Sequence, residues 1–320
     1  MNNRTGGPEI AVPEISMVLP VFDEEAVLAE LYRRLKAVLV GAGLSHELIF
    51  VNDGSRDQSW QRILELANSD RDVKAVNLSR NFGHQIAITA GLDLSTGAAV
   101  VVMDSDLQDP PELIPALLDK YRQGFDVVYA QRRTRDGETW FKRTTAALFY
   151  RLIRRMSSID IPLDTGDFRL ISRRVVDDMR RLQEQSRFVR GLVTWVGYNQ
   201  APVLYDRDRR HGGDTKYPVT KMMKFAFDGI TGFSSQPLRL ASHAGLLLAT
   251  ASLALMVLFT VYKLAGGSGL VPGWTSLMVA VLFLGGLQLL AIGILGEYIG
   301  RIYEEAKHRP LYLVRDTKNL

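Results

Sequence analysis

Ala98-Ala99-Val100-Val101-Val102-Met103-Asp104-Ser105-Asp106-Leu107-Gln108-Asp109-Pro110-Pro111-Glu112 holds the most informative pattern in the chain. The apolar run from Ala99 to Met103 has no polar alternation, which predicts a strand buried on both faces, as in a parallel sheet. It ends in acids. Asp104 and Asp106 stand at the carboxyl end of that strand, the edge where open α/β sheets bind ligands. Two carboxylates this close repel unless a cation lies between them. Mg²⁺ or Mn²⁺ takes oxygen ligands and bridges to substrate phosphates, and Gln108 can add a further oxygen. Pro110 and Pro111 then suit the start of a helix. Asp-x-Asp alone also fits a solvated turn; its place after an apolar strand favours a site.

The same grammar repeats on either side. Strands are expected over Ile15–Pro20, Glu47–Asn52, Val73–Leu78 and Asp126–Ala130, with helices between them. Leu28, Leu31, Leu35 and Val38 recur at helical spacing, and Ile86, Ile88, Ala90 and Leu92 mark another helix. Short strands alternating with helices predict a mainly parallel sheet covered on both faces. The strand ends carry Asp23 and Glu24, Asp53 and Asp57, then Asp104 and Asp106. No Gly-x-Gly-x-x-Gly follows the first strand and no Gly-Lys-Ser/Thr loop is present, which argues against a dinucleotide-dependent dehydrogenase or a P-loop enzyme. An acidic rim suits sugar and ribose hydroxyls and a metal-bound diphosphate.

Net charge is only +4, but the basic residues are clustered. One cluster runs from Arg132 to Arg155 with Trp140, Phe141, Leu148 and Phe149 between the charges. It reads equally as an amphipathic surface helix or as an interfacial helix near anionic lipid or a phosphate substrate. Arg207-Asp208-Arg209-Arg210-His211-Gly212-Gly213-Asp214-Thr215-Lys216 is a glycine-bearing basic loop with the makings of a phosphate cradle, though a solvated loop has the same composition. In Thr165-Gly166-Asp167-Phe168-Arg169, alternation puts Asp167 and Arg169 on one side of a strand, where a structural ion pair is the plainer reading. With no cysteine, disulfide and thiolate chemistry are excluded.

The last third changes character. Val219, Met223, Phe227, Ile230 and Phe233 form one helical stripe, expected to lie in a membrane interface. Uncharged apolar runs then predict two spans, about 240–264 and 274–299, each close to the roughly 20 residues that cross a bilayer. Arg239 precedes the pair and Arg301, Lys307 and Arg309 follow it, so the positive-inside rule places both ends in the cytoplasm. The expected organisation is a polar, disordered segment over 1–14 without a signal peptide, a cytoplasmic α/β domain over 15–217, interfacial helices over 218–236, a transmembrane hairpin over 237–300 and a cytoplasmic tail over 301–320.

Val51-Asn52-Asp53-Gly54-Ser55, Leu78-Ser79-Arg80-Asn81-Phe82-Gly83, the Asp104–Glu112 segment, Thr165-Gly166-Asp167-Phe168-Arg169-Leu170, Gly296-Glu297-Tyr298-Ile299-Gly300-Arg301 and Arg309-Pro310-Leu311-Tyr312 occur together and in order. In these segments the chain resembles the polyprenyl-phosphate glycosyltransferases of family 2, in the branch of bactoprenol (undecaprenyl-phosphate) glucosyltransferases related to dolichyl-phosphate mannose synthase. The resemblance runs from about Ile15 to Val314. It implies a GT-A fold, Rossmann-like, and an inverting, Mg²⁺- or Mn²⁺-dependent transfer of a sugar from a nucleoside-diphosphate sugar to a polyprenyl phosphate, on the cytoplasmic side of a bacterial plasma membrane. Glucose from UDP-glucose is the default of the branch; an aminoarabinose derivative, mannose or an N-acetylhexosamine are alternatives. By the same resemblance, Pro20, Val21, Phe22, Glu24, Asp53, Asp104 and Ser105 line the nucleotide-sugar pocket. Asp104, Asp106 and Gln108 hold the metal, and Asp167 sits beside the reaction centre. Arg132, Arg143, Arg210, Thr215 and Lys216 receive the lipid phosphate. The branch includes homo-oligomers, tetramers among them, and nucleic acid is not an expected partner. A processive polysaccharide synthase is disfavoured by the lack of Gln-x-x-Arg-Trp, a nucleotidyltransferase by the membrane hairpin, and a non-catalytic membrane scaffold by the intact acids.

Overall fold

The computed structural model describes residues 12–133, 165–185, 187–206, 236–265 and 273–320. Arg143, Arg210, Thr215 and Lys216 lie outside the described residues, as does the stripe from Val219 to Phe233. The chain forms two compact units. One holds the sheet and its helices and takes in Arg309–Leu320; the other holds the two C-terminal helices as far as His308.

The first unit begins β1 (Ile15–Val21), α1 (Leu28–Gly41), β2 (His46–Asn52), α2 (Ser59–Ser69), β3 (Val73–Leu78), α3 (His84–Leu94) and β4 (Ala99–Val102). A 3₁₀ turn at Pro111–Leu113 leads into α4 (Ile114–Arg122) and β5 (Val127–Arg132). Then come β6 (Thr165–Ser172), α5 (Arg173–Arg181), α6 (Val189–Trp195) and β7 (Gln200–Tyr205). The second unit is α7 (Gln236–Leu264) and α8 (Trp274–Ala306), and β8 (Val314–Lys318) returns to the first.

The strands make one mixed sheet in the order β7-β5-β6-β4-β1-β2-β3-β8. β1 pairs in parallel with β2 and β4, β2 with β3, and β5 with β7. β6 is antiparallel to both its neighbours, β4 and β5. Every residue of β1 and β4 is buried, which is why neither alternates polar with apolar. α1 buries Leu28, Leu31, Leu35 and Leu39 on one face, with Leu39 rather than Val38 as the last inward residue.

Below the sheet, at the amino ends of the parallel strands, Glu47 is a buried tie. It accepts from Ser16 Oγ (2.5 Å), the Thr96 amide (2.7 Å) and Thr96 Oγ1 (3.0 Å), and pairs with Lys74. Burial works against the carboxylate, but Lys74 and the hydrogen bonds outweigh it and hold the Glu47 pKa below its ordinary 4.5. The carboxylate therefore contributes stability fully above its unfolded pKa and loses it as pH falls through the lower folded value. Glu47→Ala is expected to cost about 3 kcal/mol at pH 7, because Lys74 is left without its buried partner. Denaturant unfolding at pH 7 and near pH 3 should show that deficit shrinking in acid; a deficit independent of pH would assign it to packing alone.

The tail, expected only as a cytoplasmic extension, adds a strand. β8 runs antiparallel to β3 at the sheet edge. The Ser79 amide donates to Leu313 O (2.8 Å), Tyr312 Oη donates to Asp93 Oδ2 (3.1 Å), and Asn319 Nδ2 donates to Ala67 O (2.7 Å) and Val73 O (2.9 Å). All of β8 is exposed and Val314-Arg315-Asp316-Thr317-Lys318 is mostly polar, the composition that protects an edge strand from further pairing and hides it in the sequence.

In the second unit α7 has 29 residues and α8 has 33. At 1.5 Å per residue either exceeds the roughly 30 Å of a bilayer's hydrocarbon layer. Among the described residues, Phe283–Ala306 is the stretch long and apolar enough to cross one, with mean hydropathy 1.5 and none of it buried. Leu246, Leu247, Leu258 and Val261 on α7, and Leu289, Leu290 and Ile292 on α8, are all more than half exposed. Apolar surface on this scale calls for a lipid or protein cover.

Candidate active site

The site lies at the carboxyl ends of β1, β2 and β4. Ser105 is buried and donates from Oγ to Pro20 O (2.8 Å), tying the loop after β4 to the end of β1. Asp106 Oδ1 accepts the Gln108 amide (3.1 Å). Between them Leu107 adopts φ 59° and is buried among core residues. A leucine in the left-handed region costs on the order of 1–3 kcal/mol, and here its apolar side chain anchors a turn that carries acids. The loop closes at Asp109, fully buried, whose Oδ1 accepts from Tyr205 Oη (2.5 Å). Burial and then Asp109 push the Tyr205 hydroxyl up to about 12, with Arg132 acting in the opposite direction. Arg132 is thus placed at the Asp109 end of the acidic loop.

The loops after β1 and β2 interlock. The Asp23 amide donates to Ser55 Oγ (3.0 Å), the Arg56 amide to Asp23 Oδ1 (2.7 Å) and the Glu24 amide to Ser59 Oγ (2.9 Å). Pro20 and Val21 are buried, and Phe22 is 41% exposed beside them. Asp53 is buried with both oxygens engaged, accepting the amides of Phe82 (2.7 Å) and Gly83 (2.9 Å). Asp53 therefore grips the loop that leads into α3. Gly54 has φ 69°, and a Cβ there would stand 2.5 Å from the Asn81 nitrogen, so no other residue fits where the two loops cross.

Asp167 reaches this rim through sheet register. β6 pairs with β4 antiparallel, Val102 facing Arg169; continued past the strand end, the register sets Asp104 opposite Asp167. Asp167 is 3% exposed. It accepts from Arg190 Nε (2.7 Å) and Nη2 (3.1 Å) and from Gln85 Nε2 (3.1 Å), and His84 Nε2 lies 3.1 Å from its Oδ2. Burial opposes its charge, but Arg190 and His84 hold its pKa well below the usual carboxylate range. Among the described residues no ion pair joins Asp167 to Arg169, which donates instead to Gly166 O (2.9 Å).

His84 also lies 3.3 Å from Asp104 Oδ1. It is an ion-pair distance; among the described residues Asp104 Oδ1 is a buried oxygen with no further hydrogen-bond partner. Burial disfavours an imidazolium here, but Asp104 and Asp167 outweigh it and raise His84 to about 10. His84, Asp104 and Asp167 offer ligand atoms all within 4.8 Å of one another. An unsatisfied carboxylate oxygen among further acids is a fit for a divalent cation.

Residues 16–180 match the model described as glycosyl transferase family 2. The chain belongs to glycosyltransferase family 2. Residues 236–302 of this glycosyltransferase match a second model, the GtrB C-terminal hairpin. The enzyme is 53% identical over 304 residues to the uncharacterized glycosyltransferase YkcC of Bacillus subtilis (strain 168), covering 95% of this chain and 94% of that one. It is 42% identical to the bactoprenol glucosyl transferase of Shigella phage SfV over 305 residues, 95% of this chain and 99% of that one. It is also 42% identical to the prophage bactoprenol glucosyl transferase homolog of Escherichia coli (strain K12) over 308 residues, 95% and 99% of the two chains. The GT-A fold, the glycosyltransferase class and a membrane-type C-terminal hairpin follow.

The structure brings Asp104 and Asp167 together and carries Pro20 and Ser105 on one connected rim with Asp53 behind it. It adds three residues that sequence reasoning missed: His84, Gln85 and Arg190. His84 and Gln85 directly follow the Leu78–Gly83 segment, and a polar pair opening a helix after a tight glycine turn was the available signal. Arg190 sits in Arg187-Phe188-Val189-Arg190-Gly191, where a single basic residue carries no signal above that of a solvated face.

Proposed function

We propose that this glycosyltransferase moves glucose from UDP-glucose to undecaprenyl phosphate, with inversion, giving a lipid-phosphate-linked sugar for the cell envelope. The observation that carries this reading is the likeness to bactoprenol glucosyl transferases over 95% of the chain, hairpin included.

The site chemistry supports it. The acceptor phosphate has a second pKa near 6 and is already charged at neutral pH. One of its oxygens attacks the anomeric carbon; that C–O bond forms as the bond to the UDP oxygen breaks, and no base is needed. Asp167 fits such a reaction, because a carboxylate engaged by Arg190, Gln85 and His84 is held ionised and is a poor proton acceptor. Its task is to position charge beside the reaction centre. Asp104, Asp106 and Gln108 are the residues we assign to a Mg²⁺ or Mn²⁺ ion, which when bound neutralises the leaving diphosphate. Pro20, Val21, Phe22, Glu24 and Ser105 border the nucleotide pocket, with Asp53 setting its loop. Arg132, Arg143, Arg210, Thr215 and Lys216 receive the lipid phosphate.

Purified full-length protein with undecaprenyl phosphate, Mn²⁺ or Mg²⁺ and a panel of radiolabelled sugar nucleotides tests the reading. UDP-glucose is expected to give labelled lipid; labelling only from GDP-mannose, UDP-N-acetylglucosamine or a UDP-aminoarabinose would replace the sugar. In the membrane, α7 and α8 span as a hairpin with both termini cytoplasmic, because the flanking charge is positive. Reporters fused after Leu320 and inserted at Gly267 should report opposite sides; the same side for both refutes the hairpin.

A further inference from the structure

Asp109 ends the acidic loop as a fully buried carboxylate, and a buried charge requires donors or a cation. Both stand on one pair of strands. β5 and β7 run parallel with Arg132 opposite Tyr205, so the two side chains leave the sheet on the same face. The Arg133 amide closes the pair by donating to Tyr205 O (3.1 Å). The Tyr205 ring is buried and held edge-on to Phe168, with centroids 6.4 Å apart and planes at 87°. Its hydroxyl donates to Asp109 Oδ1 (2.5 Å). A Cβ on Gly166 would stand 3.7 Å from Arg132 Nη2 and 3.9 Å from Asp109 Oδ2. Guanidinium and carboxylate therefore border one small space, next in the chain to Asp167.

Opposite charges this close compete with any third partner. An arginine fork fits a carboxylate as well as it fits a phosphate. Each guanidinium N–H drawn onto Asp109 is withheld from an acceptor phosphate. The Tyr205 hydroxyl satisfies Asp109 Oδ1 without using the arginine. Among the described residues Arg132 Nε is buried with no hydrogen-bond partner, so the guanidinium is not saturated by the fold. Packing on Phe168 requires the ring of Tyr205 but not its hydroxyl, and leaves the bond to Asp109 without a purpose.

We propose that the Tyr205 hydroxyl positions Arg132 for the acceptor: by holding Asp109 Oδ1 it keeps the guanidinium available to the lipid phosphate. Tyr205 and Asp109 are positioning residues that act through Arg132. This rests on the assignment of Arg132 to the lipid phosphate in the reading above and deepens it. The same bond ties the end of the loop bearing Asp104, Asp106 and Gln108 to the last residue of β7. In sequence, the basic stretch Arg207–Lys216 begins two residues later. Donor-side and acceptor-side segments thus meet at one hydroxyl.

Initial rates of the full-length protein in detergent, against undecaprenyl phosphate and separately against UDP-glucose, test this. Tyr205→Phe keeps the ring and is expected to raise the lipid KM about tenfold, with kcat at saturating lipid within about threefold and the UDP-glucose KM within about twofold. Tyr205→Phe with Asp109→Asn removes the charge that draws Arg132 away, and the lipid KM should return to within about threefold of the unaltered enzyme. Damage to packing would accumulate in that double variant instead. Asp109→Asn alone keeps Tyr205, guards against misfolding, and should lower the lipid KM about twofold or more because the competing charge is gone. An unchanged lipid KM in Tyr205→Phe, an equal rise for UDP-glucose, or a double variant no better than Tyr205→Phe overturns the role of Tyr205. So does a lipid KM in Asp109→Asn that equals or exceeds that of the unaltered enzyme. If the unaltered enzyme shows no saturable dependence on undecaprenyl phosphate, the acceptor reading itself fails.

Discussion

Asp104→Asn is expected to lower kcat by about 10³-fold while moving unfolding free energy by less than about 0.5 kcal/mol. The two effects separate because of how Asp104 is used in the fold. Among the described residues its Oδ1 has no hydrogen-bond partner beyond the His84 ion pair, and its side chain is 27% exposed. It faces Asp167 across the sheet with Asp106 two residues on and pairs with His84 at 3.3 Å, so neutralising it relieves carboxylate repulsion while removing one ion pair, and the two effects offset. On the proposed reading, what is lost is an anionic ligand for the ion that would offset charge on the departing diphosphate. Initial rates at saturating UDP-glucose and Mn²⁺, beside thermal unfolding of the same sample, check both halves. Activity within tenfold of the unaltered enzyme would remove Asp104 from the metal site. An equal loss of stability would make it a folding residue.

The acids at the strand ends were legible because Ala99-Val100-Val101-Val102-Met103 reads as a strand buried on both faces, and charge follows it at once. The long uncharged runs of α7 and α8 were legible for the same reason: few environments tolerate them. The meeting of Asp104 with Asp167 was not. It depends on β6 entering antiparallel between β4 and β5 and on its register there, a long-range pairing that no local pattern encodes. The pairing also replaced the expected Asp167–Arg169 partnership, since a side chain on α6 rather than the neighbour on its own strand reaches Asp167. β8 escaped notice because an edge strand is stabilised by backbone bonds and kept polar on purpose. Asp53 reads in sequence as one more rim acid; only the fold shows both oxygens turned onto the Phe82 and Gly83 amides.

Arg190→Ala should be the most damaging change outside the acidic loop, costing about 3 kcal/mol of stability together with about 10²-fold in kcat. Asp167 is buried and fully charged, and Arg190 supplies two of its donors, on different oxygens. Removing the guanidinium leaves Gln85 Nε2 and His84 Nε2 to hold a desolvated anion, and both sit on Oδ2, so Oδ1 loses its 2.7 Å partner. The cost belongs at the low end of the range for a broken buried pair because the Arg190 side chain is 34% exposed. Asp167→Asn in the same background is the discriminating step: with the charge gone, the missing arginine matters less, and the double variant should be more stable than the sum of the singles by about 1–3 kcal/mol. The acid limb carries the same sign. A carboxylate with a depressed pKa contributes stability above its unfolded value and loses it as pH falls through the folded one. Arg190→Ala raises that folded value, so the variant should begin to lose stability at a higher pH than the unaltered enzyme. Arg190→Lys, which keeps the charge but not the fork, should recover part of the stability and less of the rate, because an ammonium lacks the planar pair of donors that matches a carboxylate. Unfolding of the unaltered protein, Arg190→Ala, Asp167→Asn and the double variant in one detergent, at neutral and acid pH, measures the coupling directly. Strict additivity would show that Arg190 and Asp167 act independently, and Asp167 would then owe its ionised state to His84 and Gln85.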